Sequence, residues 1–183
     1  MEKILEPLFK DEESNSGGNS FLLGETGPGG GIIFYHNPEG FAMADGGTCY
    51  YLEVALAETA NLWATVNTSV PGTGGNIGDG RKNTGIIIAT LTAPIALAAD
   101  FCVTGTHGDG TKTDWFLPSI GELEKLYQWK DVNSISGFQP NNYWSSTQFT
   151  LPTHVEGINF LDGSPAISMK NSVYNLVRPI RAF

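Results

Sequence analysis

Residues 117–129, LPSIGELEKLYQW, carry the strongest local instruction in the chain. Ser119 followed three residues later by Glu122 is a capping box, in which each side chain satisfies a backbone N–H at a helix start. Leu123, Leu126 and Tyr127 then fall on one helical face, so a helix begins at Ser119. Around it the pattern is β. GIIFYH (31–36) is a β-branched and aromatic run after a GPGG turn, and 48–56 place Tyr50, Leu52, Val54 and Leu56 at alternate positions. YWSST (143–147) reads as a strand. VEGINFLDGSPAISMK reads as a hairpin turning at Asp162-Gly163. SVYNLVRPIRAF reads as a last strand, with Pro179 on an edge or at a bulge. A second helix is expected over 85–102, capped by Asn83-Thr84 and kinked by Pro94. Two helices among six to eight short strands make an α+β domain.

Composition narrows the class further. The 183 residues suit one domain, with 40% hydrophobic residues for a core. Charged residues are only 16% and glycines number 23, which favours long turns closed by uncharged polar groups over a helical bundle. A net charge of −9 argues against nucleic acid or an anionic membrane as partner. No apolar run approaches the roughly 18 residues of a membrane span, and the first residues lack the apolar core of a signal peptide. Residues 1–23 read as an N-terminal anchor or tether. Its first twenty residues carry Glu2, Glu6, Asp11, Glu12 and Glu13 against Lys3 and Lys10, and end in SNSGGNS. The apolar Ile4, Leu5, Leu8 and Phe9 are the expected assembly contacts, pointing to a homo-oligomer or to a larger protein assembly. Residues 24–183 form the domain proper.

Four strings, GETGPGGGIIFY, TDWFLPSIGELEKLY, YWSST and the terminal VRPIRAF, occur in order across 24–183. Together they resemble the family of bacterial and phage surface domains typified by the C-terminal domain of Lcl-type collagen-like adhesins. The resemblance implies a C-type-lectin-like fold, with two helices flanking a twisted antiparallel sheet and long irregular loops. It also implies a role in adhesion or recognition, with a trimer among the options for the homo-oligomer. In such a fold Trp115, Phe116 and Trp144 are expected in the core, and Ser145, Ser146 and Thr147 are expected to satisfy loop backbone. Arg178 and Arg181 are expected to pair with Asp114 or Glu122.

The chemistry-bearing residues form no catalytic pattern. His36, His107 and His154 match no metal spacing, and a GxSxG elbow is absent. Formylglycine-generating enzymes share the broad lectin-like fold, but Cys49 and Cys102 lack the surroundings that copper chemistry needs. These two cysteines read as buried thiols or as one disulfide. No cofactor is expected. A structural calcium ion would draw on Asp79, Asp109 and Asp114, yet each GDG triplet offers a single carboxylate and the lectin EPN and WND motifs are missing. The Asn67-Thr68-Ser69 sequon reads as chance. Trp63, Trp129, Tyr143 and Phe149 are the candidates for stacking on a sugar or anchoring a protein. The expected function is therefore non-enzymatic. It is a recognition or structural module of a virion fibre, decoration or tail tip that binds a surface glycan or protein, at the virion or cell surface. A secreted bacterial adhesion domain is the alternative, and a formylglycine-generating-type enzyme the weaker one.

Overall fold

In the computed structural model, residues 20–91, 94–133 and 137–183 are described. The assembly contacts expected at Ile4, Leu5, Leu8 and Phe9 lie outside them. The described chain is α+β, with two sheets and three helices.

β1 (Ile32–Ala42) and β2 (Thr48–Val54) form an antiparallel hairpin, and β8 (Ile180–Ala182) pairs antiparallel with β2. The second sheet runs in the order β3 (Thr59–Ala60), β7 (Leu176–Val177), β4 (Asn142–Gln148), β5 (His154–Asn159), β6 (Pro165–Met169). Its β4–β7 pair is parallel and its other pairs are antiparallel. The single last strand expected from the sequence is thus two strands in different sheets. Pro179 sits at the crossing between them, where its carbonyl accepts the Ala55 N–H. A residue without an N–H suits this break in the ladder. The β5–β6 hairpin turns at Asp162-Gly163 as expected. Gly163 has φ +76°, and Asp162 Oδ1 accepts the Ser164 N–H.

The helix expected over 85–102 is two helices, α1 (Gly80–Leu91) and α2 (Leu97–Thr104), separated around Pro94. A ring in mid-helix removes a hydrogen bond and clashes with the preceding turn, so the break is complete. α1 also begins before the expected cap, and Asn83 and Thr84 lie inside it. Their polar groups serve the neighbouring loops instead. Asn83 bonds both backbone groups of Gly74 and donates to Ser146 Oγ. The Thr84 hydroxyl donates to Gly80 O and accepts the Leu117 N–H. α3 (Ile120–Val132) starts where the sequence places it, with both halves of the capping box formed.

Two apolar clusters fill the interior. One gathers Phe34, Leu52, Val54, Phe116, Leu126, Tyr143, Phe160 and Ile180, and the other gathers Trp63, Ile87, Leu91, Cys102, Leu117, Trp144 and Val177. Successive strand residues point to opposite faces, so Tyr143 and Trp144 of β4 enter different clusters. Trp115, Phe116 and Trp144 are buried as expected.

Residues 61–79, between β3 and α1, have no regular structure, yet side chains hold them throughout. Trp63 Nε1 donates to Ser145 O, the Lys170 ammonium to Thr68 O, and the Thr147 hydroxyl to Gly74 O. The Val70 N–H donates to Gln148 Oε1, the Ser119 hydroxyl to Asn76 O, and the Gly78 N–H to Glu122 Oε1. The uncharged polar residues that the composition favours are spent in this way.

Candidate functional site

The aromatic residues singled out in the sequence do not converge on one surface. Trp63 and Tyr143 are fully buried and Trp129 nearly so, divided between the two clusters, so their rings are unavailable to a sugar or partner. Burial of a ring in a strand or helix pattern looks the same in sequence as display of one. Phe149 is half-buried at the end of β4.

The three candidate cation ligands are also separately employed. Asp79 Oδ2 accepts the Asn76 N–H within a turn. Asp109 Oδ1 accepts the N–H and hydroxyl of Thr111, and these bonds hold its carboxyl below the usual range. Asp114 is bound by an arginine. Among the described residues no three His, Cys, Asp or Glu side chains are grouped to hold a metal. Cys49 and Cys102 are free and buried in different clusters, which corrects the disulfide reading. Burial pushes both thiols up, Cys102 strongly.

A groove of about 390 Å3 lies between α1 and residues 113–116. Gly85, Ile88 and Ala89 form one wall, and Val103 of α2 closes a side. Trp115 and Phe116 form the other wall, with Thr84 and Thr113 alongside and Arg81 and Asp114 as its charged groups. The groove follows from local sequence: α1 presents positions 81, 84, 85, 88 and 89, one face at helical spacing. Gly85 leaves a gap in that face, since a Cβ there would meet nothing within 4 Å. Opposite, the Trp115 ring is held by its Nε1–H bond to Lys112 O and by edge contact with His107, which in turn meets Phe101.

Both charged residues of the groove are fixed. Arg81 donates two bonds to Asp45 at 2.7 and 2.9 Å, and the guanidinium holds the Asp45 carboxyl below its usual range. Asp114 takes two bonds from Arg181 at 2.8 and 3.1 Å. Partial burial raises the Asp114 carboxyl, but the Arg181 bonds and charge outweigh it and hold it low. Arg181 continues to the fully buried Glu53 at 3.3 Å, and Glu53 accepts the N–H groups of Gly29 and Gly31. The GPGG turn needs glycine here: a Cβ at Gly27 or Gly29 would collide with the Glu53 carboxylate, and one at Gly31 with the Val54 carbonyl.

Of the expected arginine pairings, Arg181–Asp114 is formed. Arg178 instead approaches Glu58 at 3.5 Å and donates to the carbonyls of Leu56 and Gly137. Glu53, Glu58 and Lys170 escaped the sequence reading because a charged residue in a strand pattern is ordinarily solvated. The one available signal was Glu53 lying between Leu52 and Val54 in a strongly apolar strand. The groove was equally invisible, because its walls come from segments distant in sequence. Compared with known proteins, the chain matches no family model and no curated protein.

Proposed function

We propose that this chain is a non-catalytic recognition module of C-type-lectin-like architecture, displayed on a virion or cell surface, that takes an apolar anchor of a protein partner in the α1/113–116 groove. One observation carries this reading: an open apolar groove whose two charged residues are each already held by an internal ion pair. Such a site binds by desolvating apolar surface, with the fixed charges setting orientation. A sugar would need several free polar groups there, so a protein partner suits the groove better than a glycan. The architecture is supported by β1 and β8 sharing a sheet through β2, by helices packed on the sheets, and by the long irregular segment 61–79. A phage fibre, decoration or tail-tip protein fits this reading, as does a secreted bacterial adhesin, with residues 1–20 joining copies or the larger assembly. Among the described residues no helix is long and apolar enough to cross a membrane.

Selection of a displayed random-peptide library on the full chain tests the proposal. Enriched peptides should carry an apolar anchor and lose binding to Val103→Glu, which puts a charge into the groove. Enriched peptides indifferent to Val103→Glu, or binding confined to a glycan array, would overturn it.

A further inference from the structure

We propose that the free edge of β6 is a self-association surface, on which a second copy of this chain pairs its own β6 antiparallel about a two-fold axis at Ile167. The proposal stands apart from the groove, whose walls lie in α1, α2 and residues 113–116.

The phase of the ladder fixes which backbone groups face outward. At the two ends of the β5–β6 hairpin, the Asn159 N–H donates to Ser164 O and the Lys170 N–H to Thr153 O. The register between them is unbroken, from Ile158 opposite Pro165 to His154 opposite Met169. Bonded and non-bonded pairs alternate in an antiparallel ladder, so Ser164, Ala166, Ser168 and Lys170 turn their backbone groups to β5. Pro165, Ile167 and Met169 turn theirs to the open edge. Among the described residues β6 has β5 as its one neighbour strand. The same three side chains are exposed, Ile167 by 51% and Met169 by 46%. Sheets ordinarily blunt a free edge with charge, and Pro165–Met169 carries none.

What the outward groups offer selects a second copy over a foreign strand. Pairing Ile167 with its own counterpart exchanges a reciprocal pair of bonds, each N–H donating to the other copy's carbonyl. The same register sets Met169 opposite the other copy's Pro165. Pro165 has no N–H to give, and the Met169 carbonyl facing it already accepts the Ser172 N–H at 2.9 Å. The Pro165 carbonyl is open and takes the Met169 N–H. Every outward donor is thereby matched. A foreign strand would leave a carbonyl without a donor opposite Pro165 and aim an N–H at the occupied Met169 carbonyl.

The side chains agree with this register. Directly opposite residues share a face, so Ile167 meets its counterpart and Pro165 meets Met169 across the pair. The exposed Leu161 and Val173 flank β6 at equal sequence distance from Ile167, so one copy's Leu161 and the other's Val173 come to the same end. Like charges stay apart. Glu156, the cross-strand neighbour of Ile167, would stand three strand spacings from its counterpart, about 14 Å and beyond the Debye length of about 10 Å.

Sedimentation velocity on the full chain, over a concentration series into the high micromolar range, tests the pairing. The chain should dimerise, and Ile167→Lys should weaken the dimer at least about tenfold by opposing two ammonium groups at the axis. Its melting temperature should be kept, since the position is exposed and its backbone faces the open edge. A monomer throughout the series, or a dimer indifferent to Ile167→Lys, would overturn the proposal. Cross-linking reads the register itself. Ile167→Cys should oxidise to a disulfide-linked dimer under copper–phenanthroline, because the paired Cα atoms lie about 5.5 Å apart. Met169→Cys should form no such bond, about 13 Å from its counterpart along the strands. The native thiols are buried and held protonated, so they compete little for oxidant. Equal behaviour of the two variants, cross-linked or not, would contradict the two-fold pairing. None of these readouts involves the groove, so failure here leaves the peptide-selection test standing.

Discussion

Arg181 joins two carboxylates of opposite exposure, the fully buried Glu53 and the groove residue Asp114. One guanidinium thereby ties the GPGG turn, β2, β8 and the groove wall into a single unit. Arg181→Met should destabilise the protein by about 3–5 kcal/mol, because it leaves Glu53 buried without its cation. Urea unfolding checks this, and a loss below 1 kcal/mol would mean the glycine N–H groups alone satisfy Glu53.

Glu122 supplies a pH dependence of definite sign. Burial pushes its carboxyl up to about 7, against the pull of N–H groups from Ser119, Gly78 and Gly80. The folded value exceeds the unfolded one of 4.5. Its contribution is therefore full below pH 4.5 and is lost as pH rises through 7, by about 3 kcal/mol in total. Unfolding free energies between pH 4 and 8 should show that fall in the wild type and a flatter profile in Glu122→Gln. The variant should also be weaker at every pH, since its amide NH2 faces a backbone donor.

Lys170 behaves oppositely. Its ammonium lies 4.8 Å above the Trp63 ring and donates to Thr68 O and Gln148 Oε1, with burial pushing it down to about 8. The folded value lies below the unfolded 10.5, so the folded state binds the proton less well. Stability from this group rises between pH 8 and 10.5. The difference between wild type and Lys170→Met, which keeps the stem but not the charge, should therefore shift in favour of the wild type across that window. A constant difference would mean the amine titrates as if exposed.

Gly85 sits inside α1 with open space where a Cβ would stand. Gly85→Ala should stabilise by about 0.5–1 kcal/mol through reduced unfolded-state entropy, read as a rise in melting temperature. Gly85→Trp should instead fill the groove and abolish peptide binding while leaving the fold intact.

Trp144 is fully buried, with Nε1–H donating to Asn61 O. Trp144→Ala should cost about 3–5 kcal/mol. Near-wild-type stability would contradict its place in the second cluster.

Local patterns were legible where one short stretch determines the outcome. The Ser119–Glu122 box, the Asp162-Gly163 turn and the starts of the first two strands follow from nearest-neighbour chemistry. By contrast, β1 runs past the expected His36 to Ala42, and Tyr50 and Leu56 are exposed while Leu52 and Val54, expected on the same face, are buried. The α1 start was not legible, because Asn83 and Thr84 look like caps until Gly74 and Leu117 arrive from elsewhere to use their polar groups. Pro94 marked the interruption but not its completeness. Pro179 marked an irregularity, but only pairing with β2 on one side and β3 on the other shows that the chain changes sheets there. The candidate site was least legible. Its walls meet only after α1, α2 and 113–116 pack, and the aromatic residues that a sequence offers as ligand contacts are the same ones a core requires.

The most direct test of the account is the affinity of a selected peptide for wild type and for Val103→Glu, measured by titration calorimetry on the full chain. The account predicts at least a tenfold loss in the variant with its melting temperature preserved. Equal affinity would place recognition elsewhere on the molecule and contradict the groove as the site.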